Sequence, residues 1–380
     1  MVFLFWVVFA LLKPFEFAEP LSRVESSGQL PGLPLVSLII PARDEENNLQ
    51  VCLESIINQD YPNLEVVVID DRSSDNTSQI AEATGSKFKR FKLISIKEGE
   101  LSPEWIGKNH ALYRGARQAS GDWFLFLDAD VWFTDKSAVS TAVRQAEENA
   151  LDLLSLFPRV YYGSFWEKVI NPMVGAVFLS VSPIHKINDP NSSVAAAVGA
   201  FALVRSESYR KTGGHEAIKR EIVEDLYLAR LFKNSGCRIK MMDGGDLYQT
   251  RMYTSFQEVW QGWSKNLFPS LDFSFRKALG VGVLYFFTNV YPFVIFLFWG
   301  GKYLAGGLPV DGFYAIASFI INLVIMQINF SLRLPLDVVP EYAFTMPLGG
   351  ILILAILANS AVRIGLGLGV SWKGTVYYKN

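Results

Sequence analysis

The chain has 380 residues, of which 50% are hydrophobic and 14% aromatic, so it is more apolar than an average soluble domain. Its formal net charge of −2 argues against a nucleic-acid-binding protein, which needs a basic surface, and no protein partner is evident. Only two cysteines are present, Cys52 and Cys237, which disfavours a disulfide framework and suits a reducing compartment.

The first apolar stretch, Met1 to Leu12, ends at Lys13-Pro14 and is short for a membrane span. A cleaved signal peptide is disfavoured, because no basic residue precedes the apolar run and no small-residue cleavage site is evident. We therefore expect residues 1–20 to form a membrane anchor or a partial span.

Strand-like and helix-like stretches alternate from Val36 to about Ser270, the pattern of an α/β domain with a mainly parallel sheet. Val36–Pro41 and Leu64–Ile69 predict the first two strands, separated by a helix. We place this domain at residues 34–270. In such sheets ligands bind beyond the carboxyl ends of the strands, so polar residues at those ends are candidates for a site.

Acidic residues follow the second predicted strand. Asp70 and Asp71 stand where a carboxylate can accept hydrogen bonds from a nucleotide base or ribose. The alternative is that Asp75 caps the next helix while Asp70 and Asp71 are merely solvated.

A lysine, Lys108, then precedes a predicted helix, Asn109 to Ala119. Near a helix start, backbone amides and the cation of Lys108 suit phosphate oxygens; the alternative is a solvated lysine.

Two aspartates follow the hydrophobic strand Trp123–Leu127. Asp128 and Asp130 are one residue apart, and side chains at i and i+2 of an extended segment share a face. One carboxylate then suits a divalent cation, while the other suits the cation's waters or a sugar hydroxyl. An isolated Asp-x-Asp triplet is a weak signal, but its place after five apolar residues strengthens it.

Glu224 and Asp225 open a segment with helical apolar spacing. Two carboxylates at a helix start are favourable partners of the helix dipole and need no other role. Upstream, however, a predicted strand at Gly199–Arg205 and a turn at Gly213-Gly214 allow the chain to bring Asp225 back over the rim of the sheet. We interpret His215, in the turn, as structural, because a chain with three histidines offers no His-rich site.

Two tryptophans follow, Trp260 and Trp263, with spacing suited to stacking on a sugar or flanking a lipid acceptor. The alternative is that they pack an amphipathic helix at a membrane interface.

Three segments then lack Asp, Glu, Lys and Arg: Leu279–Gly300, Gly312–Leu332 and Tyr342–Val362. Each is about long enough to cross a ~30 Å hydrocarbon layer as a helix. The alternative is a set of buried helices in a large soluble protein. We expect a transmembrane region at 278–364 and a tail at 365–380.

Taken in order, these motifs resemble those of family 2 glycosyltransferases with a GT-A fold. The motifs are Pro41-Ala-Arg-Asp-Glu45, Asp70-Asp71-Arg-Ser73, Asp128-Ala-Asp130, Gly213-Gly214-His215 and Glu224-Asp225. A finer resemblance is to membrane-bound glucosyltransferases of carotenoid and hopanoid pathways, of the chlorobactene or diaponeurosporenoate glucosyltransferase type. It is carried by Trp105-Ile-Gly-Lys-Asn-His-Ala111, Glu221-Ile-Val-Glu-Asp-Leu-Tyr-Leu-Ala-Arg230, Trp260-Gln-Gly-Trp-Ser-Lys-Asn266 and Trp372-Lys-Gly-Thr375.

The resemblance implies a donor site for a UDP-sugar. It implies that Asp71, with Asp70, contacts the uridine, that Lys108 supports the diphosphate, and that Asp130 binds Mg²⁺ or Mn²⁺ with Asp128 beside it. A bound cation stabilises the charge that develops on the leaving diphosphate.

The resemblance also implies that Asp225 is the catalytic base, with Glu224 next to it in the site. One base fits a single displacement with inversion. Related ceramide glucosyltransferases and processive synthases carry a Gln-x-x-Arg-Trp motif after the base, whereas residues 257–265 contain no Arg-Trp pair, which disfavours a processive polysaccharide synthase.

We therefore expect an inverting transferase that moves a hexose to a hydroxyl or carboxyl of a membrane lipid such as a carotenoid. The expected hexose is glucose. One alternative is a transferase that adds sugar to polyprenyl phosphate or to a polysaccharide. Another is a non-enzymatic membrane scaffold with the same fold, which would be expected to lack some of the acidic residues Asp71, Asp128, Asp130 and Asp225, whereas all four are present. Nucleotide sugars are cytosolic, so we expect a multi-pass protein of the cell inner membrane whose catalytic domain faces the cytoplasm. Arg276 and Lys277, before the first full span, suit that orientation.

Overall fold

In the computed structural model, the described residues are 19–21, 32–333 and 338–378. Nearly all of the predicted N-terminal anchor, residues 1–18, lies outside them. The described chain divides into two compact units: a sheet unit of residues 19–21, 32–161 and 182–252, and a helical unit of 162–181, 253–333 and 338–378. Residues 162–181 and 253–270, which the sequence pattern assigned to the 34–270 domain, thus fall in the helical unit.

A seven-stranded sheet forms the centre of the sheet unit. The ten strands of this unit are β1 (Val36–Ala42), β2 (Leu64–Asp71), β3 (Phe91–Ile96), β4 (Trp123–Phe126), β5 (Val131–Phe133), β6 (Leu153–Phe157), β7 (Arg159–Val160), β8 (Ala202–Arg205), β9 (Ile239–Asp243) and β10 (Tyr248–Thr250). The order in the large sheet is β3-β2-β1-β4-β8-β6-β9, and β5, β10 and β7 form a small second sheet. Only β8 runs antiparallel to its neighbours in the large sheet, so the predicted α/β class with a mainly parallel sheet is confirmed.

The helices up to residue 234 are α1 (Leu49–Ile57), α2 (Thr77–Gly85), α3 (Gly107–Gln118), α4 (Ala138–Glu148), α5 (Phe165–Val181), α6 (Ile184–Asn188), α7 (Ser206–Thr212), α8 (Gly214–Ala217) and α9 (Glu224–Asn234). All except α5 belong to the sheet unit. The central strand β1 is apolar along nearly its whole length, and Leu38, Ile39 and Ile40 are fully buried. Such a strand requires cover on both faces, as parallel sheets do.

The segment around Gly213-Gly214 differs from the predicted simple turn. It consists of two short helices, α7 and α8, that meet at these glycines. Gly213 has φ 89° and Gly214 has φ 50°, both in the left-handed region that favours glycine. A Cβ at Gly214 would lie 2.2 Å from the ring of Tyr209, so the close packing here also excludes a side chain.

The helical unit contains α5 and the remaining helices. These are α10 (Phe256–Ser270), α11 (Phe275–Tyr285), a π-helical turn (Phe286–Val290), α12 (Tyr291–Leu304), α13 (Pro309–Arg333), a 3₁₀ turn (Pro340–Thr345) and α14 (Met346–Gly365). A hairpin of β11 (Val370–Trp372) and β12 (Thr375–Tyr377) follows. The core of this unit packs α5, α10 and α14 together through residues such as Ile170, Phe268 and Ile356.

Three helical stretches are long and apolar enough to cross a membrane: Phe275–Leu304, Pro309–Phe330 and Glu341–Gly365. They correspond to the three predicted spans. Only 28%, 11% and 44% of their most apolar windows are buried, which contradicts the alternative of buried helices in a soluble protein. Apolar helices that leave most of their surface exposed require lipid or another apolar environment.

Candidate active site

The carboxyl ends of β1, β2 and β4 meet at one edge of the large sheet, because β1 is parallel to both neighbours. This edge carries Asp70 and Asp71 at the end of β2 and Asp128 just beyond β4. The sequence prediction that these motifs share a rim therefore agrees with the strand order.

Asp70 and Asp71 are buried, with only 7% and 4% of their surface exposed. The Ser73 amide donates to Asp70 Oδ1 at 3.0 Å, and the Arg72 guanidinium binds both oxygens of Asp71, at 2.9 and 3.3 Å. Asp75 does accept a hydrogen bond from the Thr77 amide at the start of α2, as the capping alternative predicts. The other half of that alternative fails, since neither Asp70 nor Asp71 is merely solvated.

Lys108 is not a solvated lysine. It lies in the first turn of α3, and its ammonium contacts Asp128 Oδ1 at 2.8 Å and also pairs with Glu224 Oε1. Burial by itself lowers the pKa of Lys108, but the Asp128 and Glu224 carboxylates outweigh burial and hold that pKa well above its ordinary range. The lysine is therefore a permanent cation between two carboxylates.

A buried asparagine holds the start of α3 in this position. Asn109 is fully buried, and its side-chain amide donates to the carbonyls of Ile218 and Glu221 at 2.8 and 3.0 Å. The Ile106 amide adds a backbone hydrogen bond to the Lys219 carbonyl at 2.9 Å. These bonds place Lys108 beside the chain segment that leads into α9.

Gly199 is the point at which the acidic start of α9 meets Lys108. Its amide donates to Asp225 Oδ2 at 2.8 Å. A Cβ on Gly199 would lie 3.2 Å from Glu224 Oε1 and 3.3 Å from both Asp225 Oδ2 and Lys108 Nζ. The three charged groups therefore surround one small backbone position, and Asp225 lies over the sheet rim as the sequence suggested. We call Lys108, Asp128, Glu224 and Asp225 the charge cluster.

Asp225 combines amide contacts with an acidic neighbour. Its Oδ1 accepts a hydrogen bond from the Leu226 amide at 2.7 Å, in addition to the bond from Gly199. Burial, and next the Glu224 carboxylate, raise the pKa of Asp225 to about 7, against the opposing effect of Lys108. A carboxylate with such a pKa is suited to accept a proton near neutral pH.

Asp128 and Asp130 lie in the turn between β4 and β5 and are both half-buried. The strand ends at Phe126 and the chain turns at Ala129 and Asp130, so the two carboxylates do not share the face of an extended segment as predicted. The Arg251 amide bonds the Asp130 carbonyl at 3.3 Å and joins this turn to β10.

The carboxylates of Asp128 and Asp130 make the surroundings of this turn negatively charged, as the predicted cation site requires. Burial, followed by the charge of Asp130, raises the pKa of the Cys52 thiol, and Asp128 and Asp130 also add to the effect of burial in raising the pKa of Tyr248. The ammonium of Lys108 already supplies positive charge at Asp128. Throughout the described ranges, no group of three or more His, Cys, Asp or Glu side chains is arranged to hold a metal. A Mg²⁺ or Mn²⁺ ion bound by these two carboxylates would therefore need further ligands from substrate phosphates and water.

A small cavity opens beside the charge cluster. Its lining consists of Lys108, Leu112, Phe126, Leu127, Asp128, Gly199, Ala202, His215, Glu224, Asp225 and Leu228. His215 is buried and its Nδ1 lies 3.0 Å from the Tyr209 hydroxyl. Burial, with a smaller contribution from Lys108, lowers the pKa of His215 to about 3, so the ring is neutral. This agrees with a structural role rather than service as a base.

Trp260 and Trp263 belong to the helical unit. The Trp263 indole donates to Asn171 Oδ1 at 2.8 Å, and Trp260 packs against Phe256 with ring centroids 5.9 Å apart. Both are half-buried against the core of that unit, as expected from the packing alternative. Their sugar-stacking or lipid-flanking role remains a prediction.

Two residues of the site carry no role in the sequence interpretation, Gly199 and Asn109. Asn109 lies next to the predicted lysine, and Gly199 opens a predicted strand, but neither spacing indicates a long-range contact. The Gly199 amide bonds a side chain 26 positions away, and the Asn109 side chain bonds backbone carbonyls 109 and 112 positions away. Only the meeting of α3, α9 and the segment before β8 reveals them.

Residues 37–213 match the family model described as "Glycosyl transferase family 2". A 4,4'-diaponeurosporenoate glycosyltransferase of Staphylococcus aureus strain USA300 is 30% identical over 259 residues, which make up 67% of this chain and 66% of the relative. The protein with the same name from strain bovine RF122 / ET3-1 is 29% identical over the same length. The match thus spans slightly less than two thirds of these relatives.

Among solved structures, the chain resembles the mannosyltransferase PcManGT from Pyrobaculum calidifontis, determined in complex with GDP-Man and Mn²⁺. The TM-score is 0.50 and the sequence identity 19%, over 95% of this chain and 93% of that one. This likeness concerns the fold.

Proposed function

We propose that the chain is an inverting glycosyltransferase of family 2, whose model matches residues 37–213, and that it moves a hexose, expected to be glucose, from a UDP-sugar to a membrane lipid. The observation that carries the proposal is the charge cluster at the carboxyl edge of the sheet, where Lys108 links Asp128 to Glu224. The staphylococcal relatives bear a name that denotes a carotenoid carboxylate, which supports an acceptor of the carotenoid kind with a hydroxyl or carboxyl group.

The donor half of the site comprises Asp70, Asp71, Lys108, Asp128 and Asp130. Asp70 and Asp71, at the carboxyl end of β2, would accept hydrogen bonds from uridine. Lys108, at the start of α3, brings a cation and nearby helix amides to the diphosphate. Asp128 and Asp130 would hold Mg²⁺ or Mn²⁺, which when bound acts as a Lewis acid on the leaving diphosphate.

The acceptor half depends on Asp225. A hydroxyl acceptor must lose its proton as it attacks the sugar, and a positioned carboxylate contributes about 10²–10⁴-fold by taking it. The pKa of Asp225, raised to about 7, leaves the group able to hold that proton after transfer. Because one base serves one displacement, the sugar is delivered with inversion.

Membrane attachment follows from the three apolar helical stretches of the helical unit. We propose that they anchor a multi-pass protein in the cell inner membrane, close to a lipid acceptor that does not dissolve in water. Since nucleotide sugars are cytosolic, the sheet unit is expected to face the cytoplasm.

The test uses membranes that contain the full-length protein, radiolabelled UDP-glucose and a lipid extract. We expect label in the organic phase with the wild type and a loss of about 10²–10⁴-fold with Asp225→Asn. Asp60→Asn, at an exposed aspartate of the same unit, is the matched control and should retain activity. Equal labelling of lipid by the wild type and the Asp225→Asn protein would contradict the role of Asp225 as the base.

Mass spectrometry of the labelled lipids identifies the sugar and the acceptor together. We expect one or few hexoses on a carotenoid-like alcohol or acid. A sugar on polyprenyl phosphate, or a polymer, would contradict the proposed acceptor while leaving the transferase activity in place.

A further inference from the structure

One ammonium joins the two acidic halves of the site. Lys108 Nζ lies 2.8 Å from Asp128 Oδ1 and also pairs with Glu224 Oε1. Asp128 belongs to the pair assigned to the divalent cation, whereas Glu224 immediately precedes the proposed base. Lys108 therefore contacts both the donor side and the acceptor side of the same cavity.

The two partners of Lys108 are not equivalent. The Glu224 side chain is 10% exposed, so its charge depends on a cation beside it, whereas the Asp128 side chain is 30% exposed and retains contact with water. Breaking a buried pair is costly because it leaves an uncompensated charge. The ion pair with Glu224 is thus the more costly of the two to break, and the ion pair with Asp128 is the one that Lys108 can lose.

A divalent cation at Asp128 would meet the Lys108 ammonium at the same carboxylate. Two cations that share one carboxylate repel each other strongly in a partly buried site. Metal binding therefore requires the ammonium to withdraw from Asp128, and Glu224 supplies the position to which it withdraws. The diphosphate of the donor can then compensate the released ammonium.

We propose that Lys108 is an internal counter-ion that occupies Asp128 until a divalent cation binds, and that Glu224 is a positioning residue that draws Lys108 away from it. This inference rests on the proposed function, specifically on Asp128 and Asp130 as the cation site. It assigns Glu224 an effect that passes through Lys108 rather than through substrate.

The test measures binding of Mn²⁺ alone to the purified full-length protein, from the free Mn²⁺ signal in electron paramagnetic resonance. We expect Lys108→Met to tighten binding about tenfold, since the competing charge is gone, and Glu224→Gln to weaken it several-fold, since the ammonium then rests on Asp128. Lys87→Met is the matched control, because Lys87 is exposed and pairs only loosely with Glu54 at 3.9 Å.

A double-mutant cycle separates this inference from a general effect of net charge. If Glu224 acts through Lys108, Glu224→Gln changes Mn²⁺ affinity in the wild type but not in the Lys108→Met protein. Equal effects of Glu224→Gln in both backgrounds would overturn the inference. The inference would also be overturned if the Lys108→Met protein bound Mn²⁺ no more tightly than the wild type while unfolding at the same temperature, which would show that the variant is folded.

Asp130→Asn distinguishes failure of the inference from failure of the proposed function. We expect it to abolish specific Mn²⁺ binding. If Asp130→Asn abolishes binding but Glu224→Gln has the same effect with and without Lys108, only the proposed role of Lys108 and Glu224 is wrong. If the wild type and the Asp130→Asn protein bind Mn²⁺ equally, the cation site of the proposed function is wrong, and so is the inference that rests on it.

Discussion

Asp225 illustrates at the scale of one residue how surroundings prepare a carboxylate for chemistry. Amides of Gly199 and Leu226 hold its two oxygens at 2.8 and 2.7 Å, while burial and Glu224 disfavour its charge. The amides fix the orientation of the group, and the acidic neighbour keeps its proton affinity high.

The raised pKa of Asp225 predicts the pH dependence of the reaction. A base must be ionised, so kcat/KM should rise as the pH increases through about 7 and level off above it. An aspartate with an ordinary pKa would give a flat profile over the same range. The measurement is initial rate against pH at low acceptor concentration. A fall in rate through pH 7 would contradict the base role and indicate that protonated Asp225 donates to an acceptor carboxylate.

Gly199 predicts a second effect at this scale. A Cβ there would press within 3.2–3.3 Å of three charged atoms, so Gly199→Ala should displace the cluster by tenths of an ångström. Because small displacements of reacting groups are costly, we expect kcat/KM to fall about tenfold or more without loss of folding. Gly175→Ala is the control, since a Cβ there meets nothing within 4 Å. Unchanged kinetics for Gly199→Ala would show that the cluster tolerates displacement.

At the scale of elements, one acidic residue in β2 links neighbouring parts of the sheet. Glu65 is 3% exposed, and its carboxylate accepts hydrogen bonds from Lys92 in β3 at 2.7 Å and from the Ser120 amide before β4 at 2.8 Å. It therefore joins β2, β3 and the segment before β4 at the end opposite the candidate active site.

Glu65→Gln should destabilise the protein by about 1–3 kcal/mol, because Lys92 loses its charged partner and the buried amide group fits the same donors poorly. Thermal unfolding of the purified protein measures the effect, and Glu82→Gln, at an exposed helical position, is the control. An unfolding temperature equal to that of the wild type would show that Ser120 and water compensate the lost charge.

Individual elements also show where sequence patterns stop being informative. Apolar runs predicted β1, β2 and β4 within one or two residues, since a strand buried on both faces must be continuously apolar. The pair at 213–214 predicted a turn but not helices α7 and α8, because short helices around a glycine carry little periodicity.

At the scale of the whole molecule, the two units suit different surroundings. The sheet unit has a packed core of strands and helices, whereas the helical unit exposes large apolar residues along its long helices, including Leu279, Phe298 and Phe313. Such a surface is stable in lipid rather than in water.

The proposed orientation can be tested by cysteine labelling of intact cells. Glu98→Cys places a thiol at an exposed position of the sheet unit, while the native Cys52 is buried and Cys237 half-buried. We expect a membrane-impermeant maleimide to label Glu98→Cys only after the cells are permeabilised, with the wild type as the background. Labelling of intact cells at the same level would place the sheet unit outside the cytoplasm.

The sequence by itself determined the class of the fold, the apolar helices and the acidic residues of the site. These follow from local rules: the period of apolar residues reveals buried elements, and charged residues at the ends of apolar strands lie at a sheet edge. The order of the motifs along the chain carried the resemblance to family 2 glycosyltransferases.

Only the tertiary structure decided how those residues act on one another. The contacts of Lys108 with Asp128 and Glu224, the amide of Gly199 on Asp225, and the hold of Asn109 on the chain before α9 join positions far apart in sequence. No local pattern specifies such contacts, because they depend on which strand ends the β3-β2-β1-β4-β8 order brings together. The proton affinity of Asp225 depends on them in turn, since it is set by burial and by charges from other elements.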